Sequence, residues 1–145
     1  MKPSEFLSIE QKTRITEAIK AAELDTSGEI RLHIESSCSV DILDRAAYIF
    51  SHLDMHKTKE RNGVLFYLAL DNHQFAILGD AGINHKVPAN FWDTIKETML
   101  ADFKDGKMAD GIEKGIRMAG EQLKAHFPYQ SDDVNELSDE ISYGK

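Results

Sequence analysis

Residues 63–70 read GVLFYLAL, and after the polar residues Asp71-Asn72-His73 a second apolar run, QFAILG, occupies residues 74–79. Two such runs joined by three polar residues predict a β-hairpin, because Asn and Asp tolerate the backbone conformations of tight turns. The first run has no polar interruption, which is typical of a strand covered on both faces. The hairpin therefore predicts a sheet that lies between two other layers.

The residues before the hairpin predict a helix, a strand and a second helix. Ser8 and Gln11 form the pattern of a capping box, which marks a helix start. Residues 30–34 alternate apolar and polar side chains, as in a strand with one apolar face. Asp41 is a predicted N-cap, and apolar residues recur after it at helical spacing. Residues 55–62 are polar and predict a loop.

Two more helices are predicted after the hairpin. One would start near Pro88 and stop at Asp105-Gly106, and the other would run from Met108 towards Pro128. The order is then α-β-α-ββ-α-α, in which the strand–helix–strand unit should cross over right-handed and make its two strands parallel. The predicted fold is of the α/β class: a three-layer α/β/α sandwich with a mixed central sheet.

Length and composition predict one globular domain followed by an acidic tail. The chain has 145 residues, of which 41% are hydrophobic, enough for a single domain with its own core. Residues 1–128 carry the periodic patterns. Residues 129–145 lack a clear period, and we expect them to be disordered. Val134, Leu137, Ile141 and Tyr143 are spaced among acids there, so the tail either solubilises the domain or folds on a protein partner.

The charge and the targeting signals limit the partners and the location. A net charge of -8 argues against nucleic acid, because phosphate contacts need clustered Lys and Arg. The N-terminal residues lack the apolar run of a signal peptide, and no stretch of about 18 apolar residues exists. Cys38 is the single cysteine, so no internal disulfide forms. These features predict a soluble protein without a membrane span, in the cytoplasm.

The predicted topology brings three distant polar segments to one edge of the sheet. Glu29 opens the first strand, Arg61 and Asn62 precede the second, and Asp80 ends the third. Carboxylate and amide oxygens are the ligands that Ca²⁺ and Mg²⁺ prefer. One interpretation is therefore a divalent cation site made of Glu29, Asn62 and Asp80. The alternative is structural: Glu29 pairs with Arg61, Asp80 caps a turn, and Asn62 satisfies loop backbone.

The opposite end of the sheet collects a second polar set. Asp41 begins a helix whose free N–H groups could face an anion, and Asp71 and His73 lie in the hairpin turn. Asp71 is a further candidate metal ligand, while Asp41, His73 and Arg61 are candidate contacts to an anion or substrate. The alternative is that these residues serve only as an N-cap and a turn. The sequence has no phosphate-cradling Gly-Lys-Ser/Thr loop, no His-Glu-x-x-His helix and no Gly-x-Ser-x-Gly elbow.

The ordered set of short motifs resembles the TPM domain family, a resemblance that covers about residues 5–128. The matching runs, in chain order, are Gly28-Glu29-Ile30-Arg31, Arg61-Asn62-Gly63-Val64-Leu65, Gly79-Asp80-Ala81-Gly82-Ile83, Phe103-Lys104-Asp105-Gly106 and Gly111-Ile112. The family includes a thylakoid-lumen protein linked to photosystem II repair and many bacterial envelope proteins. The resemblance implies an α/β/α sandwich and a site for calcium or a similar ion.

The resemblance is weakest at the hairpin turn. Acid phosphatase activity is attributed to a plant member, and many members carry Asp-Asp-Arg in this turn. Here the turn is Asp71-Asn72-His73, which lacks the second acid and the Arg and so weakens both metal-assisted hydrolysis and phosphate clamping there. Many members also have a signal peptide and a membrane helix, which this sequence does not show.

Three functions are therefore expected in order of preference. The first is a domain that binds a divalent cation, Ca²⁺ or Mg²⁺, in a non-catalytic or accessory role. The second is a metal-dependent acid phosphatase acting on phosphomonoesters. The third is a protein-interaction module that works through the acidic tail.

Overall fold

A computed structural model describes residues 2–129 and 138–144, and all structural statements below concern this part of the chain. The helices and strands follow in chain order: α1 Ile9–Glu23, β1 Glu29–Glu35, α2 Ile42–His52, β2 Gly63–Ala69, β3 Gln74–Gly79, α3 Ala81–Asn84, α4 Phe91–Lys104, α5 Met108–His126 and β4 Ser142–Tyr143. Short 3₁₀ helices cover Pro3–Glu5 and Met55–Lys57.

The sheet has the order β3-β2-β1-β4 among the described residues. β1 and β2 are parallel, with Glu29 opposite Gly63, and β2 and β3 form the antiparallel hairpin, with Val64 opposite Gly79. Both arrangements confirm the sequence-based topology. The fourth strand, β4, was not predicted; it pairs in parallel with β1, with His33 opposite Ser142. The amino ends of β1 and β2 and the end of β3 therefore share one edge of the sheet.

Helices cover both faces of the sheet, which confirms the predicted three-layer α/β/α sandwich. On one face, α1, α4 and α5 pack against Ile30, Leu32 and Ile34 of β1 and against alternate residues of the hairpin. On the other face, α2 packs against Leu65 and Tyr67 of β2. All seven residues of β2 are buried, as its unbroken apolar run predicts. Beside α2, the same face of β1 is polar and carries Glu29, Arg31, His33 and Glu35.

Several local predictions are confirmed at the level of hydrogen bonds. The Ser8–Gln11 capping box is complete, and the side chain of Asp41 accepts hydrogen bonds from two backbone N–H groups at the start of α2. The helix that precedes Asp105-Gly106 stops there, and Gly106 has a φ of 76°, the left-handed conformation that favours glycine at a helix end.

Other local predictions were wrong in detail. In the hairpin turn, His73 takes the positive φ (52°), and the side chain of Asn72 instead bonds the backbone N–H and C=O of Cys38. The polar segment 55–62 begins with the 3₁₀ helix Met55–Lys57, because Met55 is fully buried against α2 and β2. α4 starts at Phe91 rather than near Pro88, and the short α3 was not predicted.

The C-terminal residues differ from the expectation of a disordered tail. Residues 138–144 lie along the edge of β1 that β2 leaves open, and Ile141 packs against the main core. An open strand edge exposes unpaired N–H and C=O groups, and β4 satisfies some of them. Val134 and Leu137 fall outside the described residues, and the predicted boundary at residue 128 stays a prediction. No described helix is long and apolar enough to cross a membrane.

Candidate functional site

The structure brings Glu29, Asn62 and Asp80 to the same edge of the sheet, as the topology predicts. Glu29 is the first residue of β1, Asn62 precedes β2, and Asp80 follows β3. All three side chains are buried, with exposed fractions of 2%, 1% and 7%. However, the three side chains have different neighbours: Asp80 and Asn62 bond to separate partners, and Glu29 lies with two other acids.

Asp80 is held by Arg61 and by the start of α3. The Arg61 Nε and Nη2 atoms donate to the two carboxylate oxygens of Asp80 at 2.7 and 2.8 Å. One of these oxygens also accepts from the backbone N–H of Ala81 at 2.7 Å. The carboxylate therefore has a bidentate cationic partner and a capping role, and Arg61 pairs with Asp80 rather than with Glu29.

Asn62 organises the loop before β2. Its Nδ2 donates to the hydroxyl of Ser27 at 3.2 Å, and that hydroxyl donates to a carboxylate oxygen of Glu60 at 2.5 Å. The Oδ1 atom of Asn62 is buried and has no hydrogen-bond partner among the described residues. The amide thus links the turn after α1 to the loop that enters β2.

Two acids that the sequence analysis did not single out join Glu29. Glu23 is the last residue of α1, and Asp139 lies in the C-terminal segment. One carboxylate oxygen from each of Glu23, Glu29 and Asp139 lies within 4.8 Å of the others. The pairing of His33 with Ser142, continued back along both chains, places Asp139 beside Ile30 at the start of β1. We call these three residues the acidic cluster.

The electrostatics of the acidic cluster centre on Glu23. Burial, followed by a hydrogen bond with Asp139, raises the pKa of Glu23 to about 10, and the nearby charges of Glu29 and Asp139 act in the same direction. A hydrogen bond from the backbone N–H of Ile30 to Glu23 (2.8 Å) opposes this shift without cancelling it. Without a cation, the cluster therefore keeps a proton at neutral pH.

No local pattern in the sequence indicates this cluster. Glu23 has the position of an ordinary polar residue in the last turn of a helix, although it lies only six residues before Glu29. Asp139 lies in a segment with no clear period, so nothing local indicates that it folds back onto β1. Both residues reach Glu29 through tertiary contacts.

The opposite end of β1 carries a second buried acid, Glu35, which is 3% exposed. Arg45 of α2 donates to both its oxygens at 2.8 and 2.7 Å, and the hydroxyl of Tyr67 donates at 2.6 Å. Burial alone would raise the pKa of Glu35, but these hydrogen bonds and the charge of Arg45 outweigh it and lower the pKa to about 2. The Nε2 atom of His33 lies 3.5 Å from the same carboxylate.

The other predicted residues at this end are not brought into one site. The side chain of Asp41 accepts from the N–H groups of Leu43 and Asp44 at 3.0 and 3.2 Å, so it occupies the helix start itself. Asp71 and His73 are exposed in the hairpin turn. Arg61, the third candidate contact for an anion, lies at the amino end of the sheet with Asp80.

Fold and site together define a small α/β/α domain with an acidic cluster at one sheet edge and a neutralised buried acid at the other. The family model described as the TPM domain matches residues 1–122. The chain therefore belongs to the TPM domain family, as its motifs suggested. A search of the curated proteins found no match.

Three solved structures resemble the chain. The BA42 protein from the psychrophilic bacterium Bizionia argentinensis is 44% identical, with 99% of each chain covered and a TM-score of 0.92. The N-terminal domain of a P. gingivalis protein is 19% identical over 88% of this chain and 84% of that one, with a TM-score of 0.72. The N-terminal domain of the cg2496 protein from Corynebacterium glutamicum is 15% identical, covers 89% and 80%, and has a TM-score of 0.67. The last two similarities show the fold alone.

Proposed function

We propose that this domain binds a divalent cation, and that Glu23, Glu29 and Asp139 are its protein ligands. The observation that carries the proposal is the approach of three carboxylate oxygens to within 4.8 Å of one another. Like charges at this separation repel strongly when solvent is largely removed. A divalent cation would replace the proton on Glu23 and neutralise most of the negative charge.

Oxygens within 4.8 Å of one another can surround either ion. Calcium is the better candidate because its coordination is flexible, whereas Mg²⁺ demands a near-ideal octahedron and keeps several waters. Three carboxylates that each bind through one oxygen supply half or fewer of the six to eight oxygens that Ca²⁺ takes, so water would complete the shell.

The earlier ligand set is revised in this proposal. Glu29 remains a ligand. Asn62 and Asp80 are assigned supporting roles, because Asn62 positions the loop before β2 and Asp80 is paired with Arg61. Asp71 lies at the other end of the hairpin from Asp80, so the two cannot bind the same ion.

Calorimetric titration of metal-free protein with Ca²⁺ and Mg²⁺ tests the proposal. We expect binding by the parent protein, tighter for Ca²⁺, and its loss in Glu29→Gln and Glu23→Gln. Asp71→Asn is the matched control, since it removes an exposed acid far from the cluster. A Ca²⁺ affinity unchanged by Glu29→Gln, or one lost only in Asp80→Asn, would contradict the assigned site.

The same protein variants distinguish cation binding from hydrolysis of a phosphate ester. A metal-dependent phosphatase would release phenolate from a chromogenic phosphate ester, and chelation would stop it. We expect no turnover, in keeping with the binding role. Turnover that is lost on chelation and in Glu29→Gln, but kept in Asp71→Asn, would replace the binding proposal with the hydrolase.

A further inference from the structure

A cavity lies beside the hairpin turn, on the face of the sheet that α4 and α5 cover. Its volume is about 520 Å³, within the usual range for small-molecule sites in proteins. The end of β2, the start of β3, the last turn of α4 and the first residue of α5 form its walls. The acidic cluster lies at the opposite end of the sheet, so this cavity is separate from the proposed cation site.

The walls of this cavity are mainly apolar and aromatic. Phe75 of β3 and Phe103 of α4 meet edge to face, with ring centroids 5.0 Å apart. A Cβ at Gly111 would lie 2.7 Å from the Phe103 ring, so glycine there allows α5 to pack closely against this ring. Both rings also pack against the main core. The domain itself therefore fixes the apolar walls, and a site formed in advance lowers the cost of binding.

The mouth of the cavity carries groups of one charge. Lys104 at the end of α4 and His73 in the hairpin turn line it, and both are exposed. Among the described residues, no acid lines the cavity, although the chain has 25 acids against 17 Lys and Arg. The acids next to these two in sequence, Asp71 and Asp105, are not part of its wall. Electrostatics therefore favours a ligand with a negatively charged group at this mouth.

The apolar surface here suits a small molecule better than a protein. Of the large hydrophobic residues that are exposed in the described part of the chain, only Leu100 lines this cavity, and 42% of its surface is exposed. A stable protein interface buries about 800 Å² on each partner and needs several such side chains. A flexible apolar chain can instead enter the cavity and cover Leu100 together with the aromatic walls.

We propose that this cavity binds a medium-chain fatty acid, with the alkyl chain against Phe75, Phe103 and Leu100 and the carboxylate beside Lys104 and His73. Burial supplies most of the affinity, since each further CH₂ group that leaves water should tighten binding about fourfold. The two cationic groups are exposed, so they add a smaller contribution that falls with salt and that orients the ligand. This site does not depend on the proposed cation site.

Titration of the full chain with sodium decanoate, followed by amide chemical shifts, tests the proposal. We expect saturable shifts that centre on the hairpin turn and the end of α4, at Leu70, Phe75 and Phe103. Octanoate should bind about tenfold more weakly than decanoate, because its chain is two CH₂ groups shorter.

Two pairs of variants locate the site. Leu100→Glu should weaken decanoate binding about tenfold or more, because it removes apolar wall and adds a like charge. Ala101→Glu is its control, with the same added charge at an exposed neighbour that does not line the cavity. Lys104→Gln should weaken binding about threefold. Its control is Lys96→Gln, the same change at an exposed position of α4 outside the cavity.

Each possible result supports or overturns the inference. No saturable shifts with decanoate, or shifts that centre elsewhere, would overturn it, as would equal affinities for octanoate and decanoate. Equal weakening in Leu100→Glu and Ala101→Glu would mean that net charge, and not the cavity, controls binding. Shifts at the cavity that depend on protein concentration without decanoate would assign this surface to a second copy of the chain, which would also overturn the proposal.

Discussion

Glu29 and Glu35 stand at the two ends of one strand, on the same face, and are almost equally buried at 2% and 3% exposed. Glu35 is surrounded by donors: Arg45 binds both of its oxygens, and Tyr67 adds a third hydrogen bond. Glu29 instead lies with two more acids, Glu23 and Asp139. The two glutamates are therefore equally buried, and they differ only in the groups that surround them.

This difference separates a structural role from a binding role. A buried carboxylate is stable when charged donors compensate its lost solvation, and Glu35 has those donors within the domain. At the acidic cluster three acids lie together, and burial raises the pKa of Glu23 so that it holds a proton. Positive charge at the cluster can be supplied from outside the chain, which is why the cluster is the better candidate site.

The largest expected effect comes from removing the guanidinium of Arg45, the charged partner of Glu35. Arg45→Met should lower the free energy of unfolding by about 3 kcal/mol in urea titrations at pH 7, because it leaves a buried carboxylate without its charged partner. Arg117→Met is the control, since Arg117 forms only an exposed pair with Glu113 and its loss should cost about 0.5 kcal/mol. Equal losses in the two variants would show that Glu35 does not need its partner.

The same variant has an expected pH dependence. Because the pKa of Glu35 is lowered to about 2 in the folded protein, its contribution is complete above about pH 5 and is lost as pH falls towards 2. The stability difference between the parent protein and Arg45→Met should therefore shrink over this range. Urea titrations at pH 7, 4 and 3 would measure it, and a difference that stays constant would argue against the shifted pKa.

At the acidic cluster, the pH dependence of stability has the opposite sign. A Glu23 pKa raised to about 10 means that the folded, metal-free protein binds a proton that the unfolded chain releases above about pH 4.5, so stability falls as pH rises. Glu23→Gln should remove this slope, so its stability relative to the parent protein should rise between pH 5 and pH 8 by at most about 1.4 kcal/mol for each pH unit, the limit for one proton. Thermal unfolding with chelator at both pH values measures it.

Two results would count against that interpretation. Parallel pH profiles for the parent protein and Glu23→Gln would mean that no proton is held at the cluster. A similar gain in Glu10→Gln, an exposed acid in the first turn of α1, would mean that general charge reduction is responsible.

A smaller effect is expected from removing the Tyr67 hydroxyl, the neutral hydrogen-bond donor to Glu35. Tyr67→Phe removes one hydrogen bond but leaves Arg45 in place, so it should cost about 1–2 kcal/mol, less than Arg45→Met. Urea unfolding at pH 7 measures the cost. A loss larger than that of Arg45→Met would mean that the hydroxyl, and not the guanidinium, stabilises the buried acid.

The smallest effect is expected from removing Arg61, the partner of Asp80. Arg61 is half exposed, so Arg61→Gln should cost about 0.5–1 kcal/mol, and it should leave Ca²⁺ affinity unchanged. Urea unfolding and calorimetry check both parts. If Ca²⁺ binds more tightly once Arg61 is removed, Asp80 is the metal ligand after all, and the site proposed from sequence stands in place of the acidic cluster.

The elements that could be predicted are those encoded by neighbouring residues. The apolar run of β2, the capping box at Ser8, the N-cap at Asp41 and the stop at Gly106 each follow from local patterns. The topology rules then placed Glu29, Asn62 and Asp80 at one edge. Side-chain partners could not be assigned in this way, since Arg61 could reach either Glu29 or Asp80, and only the packed loop decides which.

By itself, the sequence determined the α/β/α sandwich, the hairpin at its centre and the family, because apolar periodicity and short motifs are properties of local chain. Only the tertiary structure decided that Asp139 folds back beside Glu29, that Arg45 neutralises Glu35, and that β4 pairs with β1. These contacts join residues that are 10 to 110 positions apart, and their energies come from burial and charge in three dimensions. As a result, Glu29 lies among acids while Glu35 is neutralised by Arg45, although both lie on the same face of β1.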